Sequence, residues 1–470
     1  MLLWQDYDYQ ANLHVFSWKD DYFAVDVNSG AVHVLDRPAF LLLSALIENN
    51  GDYQQAREKL TRQWPAQVVA EIWQEMVDLH RQGALFTALD PVRVDTGSMA
   101  LKALCLNAAH ACNMNCSYCF AAQGDFGMKP GLMSLEVAKQ AVDFLIAHSG
   151  GRRHLEIDFF GGEPLLAAGM LKDLVEYCRR LETLHGKEFT FTLTTNALLL
   201  DDEVIDWVIA NNISVIMSLD GRPKVHDQYR PLKDGAGSYA AIIPRIKAMV
   251  AANPVSYYIR GTFTRQNLDF ADDCRHILEL GFSSLSLEPA VGPDNGYAIQ
   301  AADLPRVKQE YERLAELLLE YYQSGHKVHF YHFNLDMQQG PCLAKRLTGC
   351  GAGVEYLTVT PEGNLYPCHQ LVGEEGFLLG NVFQDELDSG IKQLFSTCQV
   401  HDKECIRCWA RYYCGGGCLA QAYLQNGDIK KPHRVSCEMH RKRVEAAIFL
   451  DYYRRRGKIC SKKQENYTEV

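Results

Sequence analysis

From Leu101 to about Gly325, short apolar runs alternate with longer stretches in which apolar residues recur every three or four positions. The short runs predict strands over Leu101–Asn107, Leu155–Phe160, Phe189–Thr195, Ile213–Leu219, Ser256–Thr264 and Ser284–Glu288. The periodic stretches predict helices such as Leu135–Ala147, Met170–Leu184, Asp202–Asn211 and Leu304–Tyr322. Six strand–helix units predict an α/β domain of parallel strands with helices outside. Chemistry is then expected at the carboxyl ends of the strands.

The pattern differs at both ends of the chain. Val15–Val27 and Ala31–Asp36 are β-rich, and Asn28-Ser29-Gly30 between them predicts a hairpin turn. Helices are predicted over Arg37–Asn49, Asp52–Gln63 and Ala66–Gln82, where Val69, Ile72, Trp73, Met76 and Leu79 form one apolar stripe. After Gly340 the chain becomes cysteine-rich, and from Arg454 onward it is polar and aperiodic, which predicts a loose tail.

Composition narrows the possibilities. At 470 residues, 47% hydrophobic and 22% charged, the chain has room for two to four domains. A formal net charge of −11 argues against a nucleic-acid partner, which needs concentrated Lys and Arg. The start of the chain lacks signal-peptide features, and the apolar run Ala39–Ile47 is too short to span a bilayer, so no membrane is expected and the protein reads as cytoplasmic. In that compartment sixteen cysteines point to metal or cluster ligation rather than disulfides.

The first such group follows the first strand: Cys112, Cys116 and Cys119, at C-x3-C-x2-C spacing with Tyr118 just before the third. Three thiolates suit a cubane cluster with one iron left open, whereas a structural zinc site wants four ligands. The stretch resembles the signature of radical S-adenosylmethionine (SAM) enzymes. The resemblance implies a 4Fe–4S cluster whose open iron is chelated by SAM, reductive cleavage of SAM, and hydrogen abstraction by the resulting radical. It also implies the family's partial (β/α)6 TIM barrel.

Further matches lie at strand ends. Asp158-Phe159-Phe160-Gly161-Gly162-Glu163-Pro164 closes the second strand, Thr194-Thr195-Asn196 the third and Ser218-Leu219-Asp220-Gly221 the fourth, with Arg230 beyond. By the resemblance, Gly161, Gly162 and Glu163 receive the SAM amino group, Ser218 the ribose and Arg230 the carboxylate, and Asn196 joins the cofactor-binding set. For Asn196 and Asp220, turn formation and helix capping are the ordinary alternative. Glu288 would face either SAM or substrate.

The C-terminal cysteines are Cys342, Cys350 and Cys368, then Cys405-x2-Cys408-x5-Cys414-x3-Cys418, then Cys437. The array resembles the SPASM extension of peptide maturases, which holds two auxiliary 4Fe–4S clusters, making three clusters with the first. A pair of zinc knuckles is the alternative that short C-x2-C spacing permits. The resemblance assigns Cys405, Cys408, Cys414 and Cys437 to one cluster, and Cys350, Cys368 and Cys418 to the other. Cys342 either completes the latter or leaves an open iron for a substrate thiolate. Cys105, Cys178, Cys274, Cys398 and Cys460 receive no function.

The N-terminal module resembles the winged-helix-like PqqD-type domain, which binds a leader peptide by strand addition. DNA binding is the alternative for such a fold, but its helices carry no concentrated basic face. The expected organisation is a leader-recognition domain at 1–90, the radical SAM barrel at 91–330, the SPASM domain at 331–450 and a polar tail at 451–470. As a whole the chain resembles the thioether-forming maturases of SCIFF (six cysteines in forty-five residues) peptides. Implied partners are a cysteine-rich precursor peptide with its leader and a reductant such as flavodoxin or ferredoxin. Formylglycine-generating sulfatase maturases are the alternative within the fold, although His369 replaces the acidic residue they carry after the matching cysteine. A non-catalytic peptide-binding electron carrier is the alternative from outside it.

Overall fold

The computed structural model describes residues 7–89, 92–97, 99–290, 292, 296–335, 342–384 and 386–465, with the side chains of residues 343 and 457–465 left aside. At its centre lies an open sheet whose spatial order runs His329–Phe330, Ser284–Pro289, Tyr257–Phe263, Ile213–Ser218, Glu188–Thr195, His154–Gly161, Ala103–His110, Tyr356–Val359, Asn364–Tyr366, Gly380–Asn381. Neighbours are parallel as far as Tyr356–Val359, and the last two strands run antiparallel. This is the parallel α/β architecture read from the alternation, an open TIM-like sheet with strand boundaries shifted by a few residues.

Burial explains the strand patterns. Every residue of Ala103–His110 is buried, because this strand has sheet neighbours on both sides and is covered on both faces. Leu104, Leu106, Ile157, Phe159, Phe191, Leu193, Val215 and Met217 belong to one continuous core with Ala138, Val142 and Leu145 of the helix Leu135–His148. That helix begins at Ser134, whose hydroxyl accepts the Val137 amide. The strands Tyr356–Val359 and His329–Phe330 carried too little periodicity to be read from sequence, yet the first of them joins the cysteine-rich region to the barrel sheet.

The N-terminal residues form a three-stranded antiparallel sheet, Leu13–Trp18, Asp21–Asp26 and Val32–Leu35, followed by helices Arg37–Glu48, Tyr53–Thr61 and Ala66–Arg81. The single strand expected over Val15–Val27 is therefore two strands. Lys19, at φ 55°, turns the chain between Trp18 and Asp21 without a glycine or proline to mark the turn. Leu42, Leu46, Leu60, Val69, Ile72 and Met76 close a separate core beneath this sheet.

The loose tail expected from Arg454 is also corrected: one helix runs from Arg434 to Glu465. Its apolar face stacks Phe449 on Trp18, the Tyr453 hydroxyl donates to Asp21 at 2.5 Å, and Asp451 pairs with Arg455 one turn on. Residues 466–470 lie outside those described. Among the described residues no helix is long and apolar enough to cross a membrane.

Candidate active site

The three-cysteine loop leaves the carboxyl end of Ala103–His110 and is held by backbone bonds, Asn115 N–H to Pro231 O at 2.9 Å and Ser117 N–H to Tyr229 O at 3.0 Å. Cys112, Cys116 and Cys119 line one cavity of about 380 Å³. Burial pushes the Cys116 thiol up to about 12, with Arg230 acting in the opposite direction and the thiols of Cys119 and Cys112 raising it further. A cation shared by these sulfurs would reverse that preference by stabilising the thiolates.

Glycines bring three backbone segments together behind the loop. A Cβ on Gly162 would lie 2.1 Å from Ala111 O, and one on Gly124 would lie 2.8 Å from Cys112 Cβ. Gly124 also has φ +110°, a conformation open to glycine. The Gly-Gly step at the end of the second barrel strand therefore lets the chain pass against the cysteine loop.

Gly161, Gly162, Asn196, Ser218, Tyr118 and Arg230 all line the same cavity. Glu163 does not. Its carboxylate is 1% exposed and accepts Leu165 N–H at 3.1 Å, the Thr195 hydroxyl at 2.8 Å and Asn196 N–H at 2.8 Å. Instead of facing an ammonium group, it ties the second strand end to the third. Burial raises its carboxyl to about 7, against the pull of those donors.

Asn196 does more than shape a turn. Its amide nitrogen lies 2.7 Å from Asn113 Oδ1 and 3.7 Å from Cys112 Sγ, so it directs N–H toward a sulfur. Asp220, for which a turn or cap was the ordinary reading, is a fully buried organiser. It accepts from the Tyr118 hydroxyl at 2.5 Å, Arg230 Nε at 3.0 Å and Thr262 N–H at 2.9 Å. Burial disfavours the Arg230 cation, but Asp220 and Tyr118 outweigh that and hold it far above its ordinary value. Nothing in the local spacing distinguished this aspartate from a turn residue.

Distant segments line the same cavity: Arg260, Glu288, His332, His369, Gln370, Cys418, His440 and Arg443 among others, with the His369 ring 5.5 Å from that of Phe120 beside the cysteine loop. Burial, with Arg260 nearby, lowers His369 to about 4, so its imidazole is neutral. Glu288 stays ionised: burial opposes this, but His332, Arg443 and Arg260 prevail. Sequence reasoning missed Arg260, His332, His440 and Arg443, which follow no ligand-like spacing.

Cys405, Cys408, Cys414 and Cys437 line a second, smaller cavity of about 40 Å³ together with Gly416 and Gly417. Gly415, Gly416 and Gly417 take φ of 67°, 90° and 75°, a succession that only glycine tolerates readily. Burial pushes Cys414 up to about 12, and Cys437, Cys405 and Cys408 add to the rise. Burial raises the Cys368 thiol, the nearby Cys418, Cys350 and Cys105 add to the rise, and the Gln370 amide opposes it. Cys342 is exposed at the start of the short helix Leu343–Thr348. Among the described residues no three His, Cys, Asp or Glu side chains converge closely enough for a single metal ion. Cys112, Cys116 and Cys119 line the larger cavity and Cys405, Cys408, Cys414 and Cys437 the smaller, and thiolates are the donors that hold iron–sulfur clusters.

Residues 106–279 match the family described as the Radical SAM superfamily. An uncharacterized protein, MJ0907 of Methanocaldococcus jannaschii, is 27% identical over 189 residues, 40% of this chain and 62% of that protein, so the chain spans less than two thirds of this relative. A cysteine-type anaerobic sulfatase-maturating enzyme of Clostridium perfringens (strain 13 / Type A) is 24% identical over 66% of this chain and 86% of its own length. Among solved structures, native anSMEcpe with bound AdoMet and Cp18Cys peptide aligns with TM-score 0.61 and 20% identity, covering 76% of this chain and 99% of that one. Streptococcus suis SuiB bound to S-adenosylmethionine aligns with TM-score 0.54 and 15% identity, covering 90% and 98%. The fold is the radical SAM α/β fold.

Proposed function

We propose that this chain is a radical SAM peptide maturase that joins a cysteine sulfur to the α-carbon of another residue, a sactionine-type thioether, in a cysteine-rich SCIFF-like peptide. The observation that carries this reading is the single cavity bounded by Cys112, Cys116 and Cys119 on one wall and by Cys418 and His369 on another. The similarity to a sulfatase-maturating enzyme supports modification of a peptide or protein. SuiB has also been solved bound to its precursor peptide SuiA.

Cys112, Cys116 and Cys119 would hold a 4Fe–4S cluster with SAM, Cys405, Cys408, Cys414 and Cys437 a second cluster, and Cys350, Cys368 and Cys418 a third. When bound, these groups supply reductive SAM cleavage, hydrogen abstraction and an acceptor for the surplus electron. The protein's own part is positional. Gly161 and Gly162 let the second strand end pass against the cysteine loop, Asp220 fixes Tyr118 and Arg230, and the neutral His369, beside Phe120, is able to accept a proton. At the N-terminus the strand Val32–Leu35 has, among the described residues, only Asp21–Asp26 as a neighbour in its sheet, which supports leader binding by strand addition. A reductant such as flavodoxin or ferredoxin completes the set of partners, in the cytoplasm.

The test is anaerobic reconstitution, reduction, and incubation with SAM and a cysteine-rich peptide, followed by reduction, alkylation and mass measurement. Loss of a pair of hydrogens with a cysteine resistant to alkylation is expected. A cysteine converted to aldehyde refutes the thioether reading in favour of formylglycine chemistry, and SAM left uncleaved by the reduced, reconstituted protein refutes catalysis altogether. Replacing Cys342 with Ala is expected to leave iron content and cross-linking intact, as measured by iron assay and mass, because an open iron is the arrangement that receives a substrate thiolate.

A further inference from the structure

In the lining of the same cavity, the C-terminal helix places Arg443 beside Glu288 at the end of the sixth barrel strand. Arg443 is 5% exposed, and its orientation is fixed at two points: Nε donates to the Tyr311 hydroxyl at 2.8 Å, and Nη1 lies 3.4 Å from His332 Nδ1. The other side of that imidazole faces Glu288, with His332 Nε2 2.8 Å from Oε1 but outside hydrogen-bond geometry. Arg443 Nη2 is likewise buried with no hydrogen-bond partner among the described residues, and it stands 4.0 Å from Glu288 Oε2.

A buried guanidinium nitrogen without an acceptor is costly, so a site that retains one has a use for it. Here an unfilled donor and a carboxylate oxygen lie side by side on two residues that line the cavity, the donor just beneath its surface. In extended chain the N–H and C=O of one residue point to the same side and are exchanged together with a partner, as in a hydrogen-bonded antiparallel pair. A primary amide presents the same two groups. A lone carboxylate ligand would satisfy Arg443 but face the charge of Glu288.

We infer that Arg443 Nη2 and Glu288 Oε2 form an amide clamp, which takes the C=O and N–H of one substrate residue and so fixes where the chain lies across the cavity. The clamp rests on the peptide-maturase reading above and names the group by which the peptide is held. Tyr311 and His332 act as positioning residues that aim the two atoms. Arg260 also faces Glu288, and it sets the charge of the recess without being aligned by the same contacts.

Saturation-transfer NMR on the reconstituted, SAM-loaded protein tests this with a backbone mimic, N-acetylalanine N′-methylamide. Its N-methylated analogue lacks the alanine N–H, and propionamide represents a side-chain amide. We expect the parent mimic to bind, and N-methylation, Glu288→Gln and Arg443→Met each to weaken it by roughly tenfold or more, the loss of one charge-assisted bond. Iron content and melting temperature establish that the variants are folded. Equal binding of parent and N-methylated mimic would overturn the clamp even if neither variant folds, as would undiminished binding by both folded variants. Binding of propionamide alone would overturn the backbone assignment. Amide binding by a wild-type protein that modifies no peptide would support the clamp while striking the maturase reading, so the two fail separately.

Discussion

Arg411 offers a direct test of how the N-terminal domain is fastened to the cysteine-rich region. Its guanidinium is 1% exposed and reaches Ala11 O at 2.9 Å, Asn12 Oδ1 at 2.7 Å and Asn28 Oδ1, and it also bonds Cys408 O at 3.3 Å. Three of these acceptors belong to the N-terminal domain, two at the end of the short helix Tyr9–Asn12 and one in the turn at Asn28, and a bond to a charged donor contributes about 1.5–3 kcal/mol. The gross cross-domain contribution is therefore on the order of 4–9 kcal/mol. Desolvating a guanidinium among neutral acceptors cancels much of it, and Arg411→Met keeps the apolar stem, so the expected net loss is about 2–4 kcal/mol. The stacking of His14 on Trp409, centroids 3.8 Å apart, and of Trp18 on Phe449 remains in place. The domain should then still dock but open more often, by roughly 30- to 1,000-fold. Hydrogen exchange followed by mass spectrometry reads this directly, as a loss of protection over Leu13–Asp26 with little change in the strands around Ile157 and Phe191. Unchanged protection over Leu13–Asp26 in a variant with full iron content would show that the apolar stacks hold the domain and that Arg411 does not.

Asp220→Asn should lower stability by about 2–4 kcal/mol, because it uncouples a buried arginine from its counter-charge while keeping the shape; a urea midpoint within error of wild type would refute that. Gly162→Ala should prevent normal folding or cost about 3 kcal/mol, since the added carbon meets the Ala111 carbonyl at 2.1 Å, and a fully soluble variant with wild-type melting would overturn the argument. Glu163 sets a pH dependence: its folded-state value of about 7 lies above the ordinary 4.5, so the native state holds the proton more tightly than the unfolded chain. The stability from this group is full below about 4.5 and lost as pH rises to about 7, on the order of 3 kcal/mol, and Glu163→Gln should flatten that slope in urea titrations.

The parallel core was legible because its strands are buried on both faces and read as continuous apolar runs, while the helices Leu135–His148 and Leu304–Gln323 keep a clean stripe. The cysteines were legible because short spacing in one loop translates directly into proximity. The Arg443 cluster was not. Glu288 and His332 meet because the short strand His329–Phe330, unread in sequence, lies beside Ser284–Pro289, and Arg443 joins them only because the C-terminal helix packs against Leu304–Gln323, across an interval of more than a hundred residues that carries no trace of it. The turn at Lys19 was hidden for a simpler reason, since a lysine takes up positive φ there without help from glycine. The hydrogen bonds of Glu163 were hidden as well: a carboxylate next to two glycines carries no sign in sequence of the Leu165, Thr195 and Asn196 donors that reach it.

Ala103–His110 pairs on one side with His154–Gly161 and on the other with Tyr356–Val359. During synthesis the first of these partners emerges promptly, but the second follows only after roughly 250 further residues, on the order of 12–50 seconds at ordinary elongation rates. Gly131–Leu132 covers the end at Ala109 and His110 early, but throughout that interval the stretch Ala103–Leu106 remains an apolar, unpaired edge, the kind that recruits stray strands from other chains. The cysteine-rich region is thus also the piece that closes this edge, and a truncation before residue 356 would leave a barrel prone to aggregate even though its own helices and strands are all present.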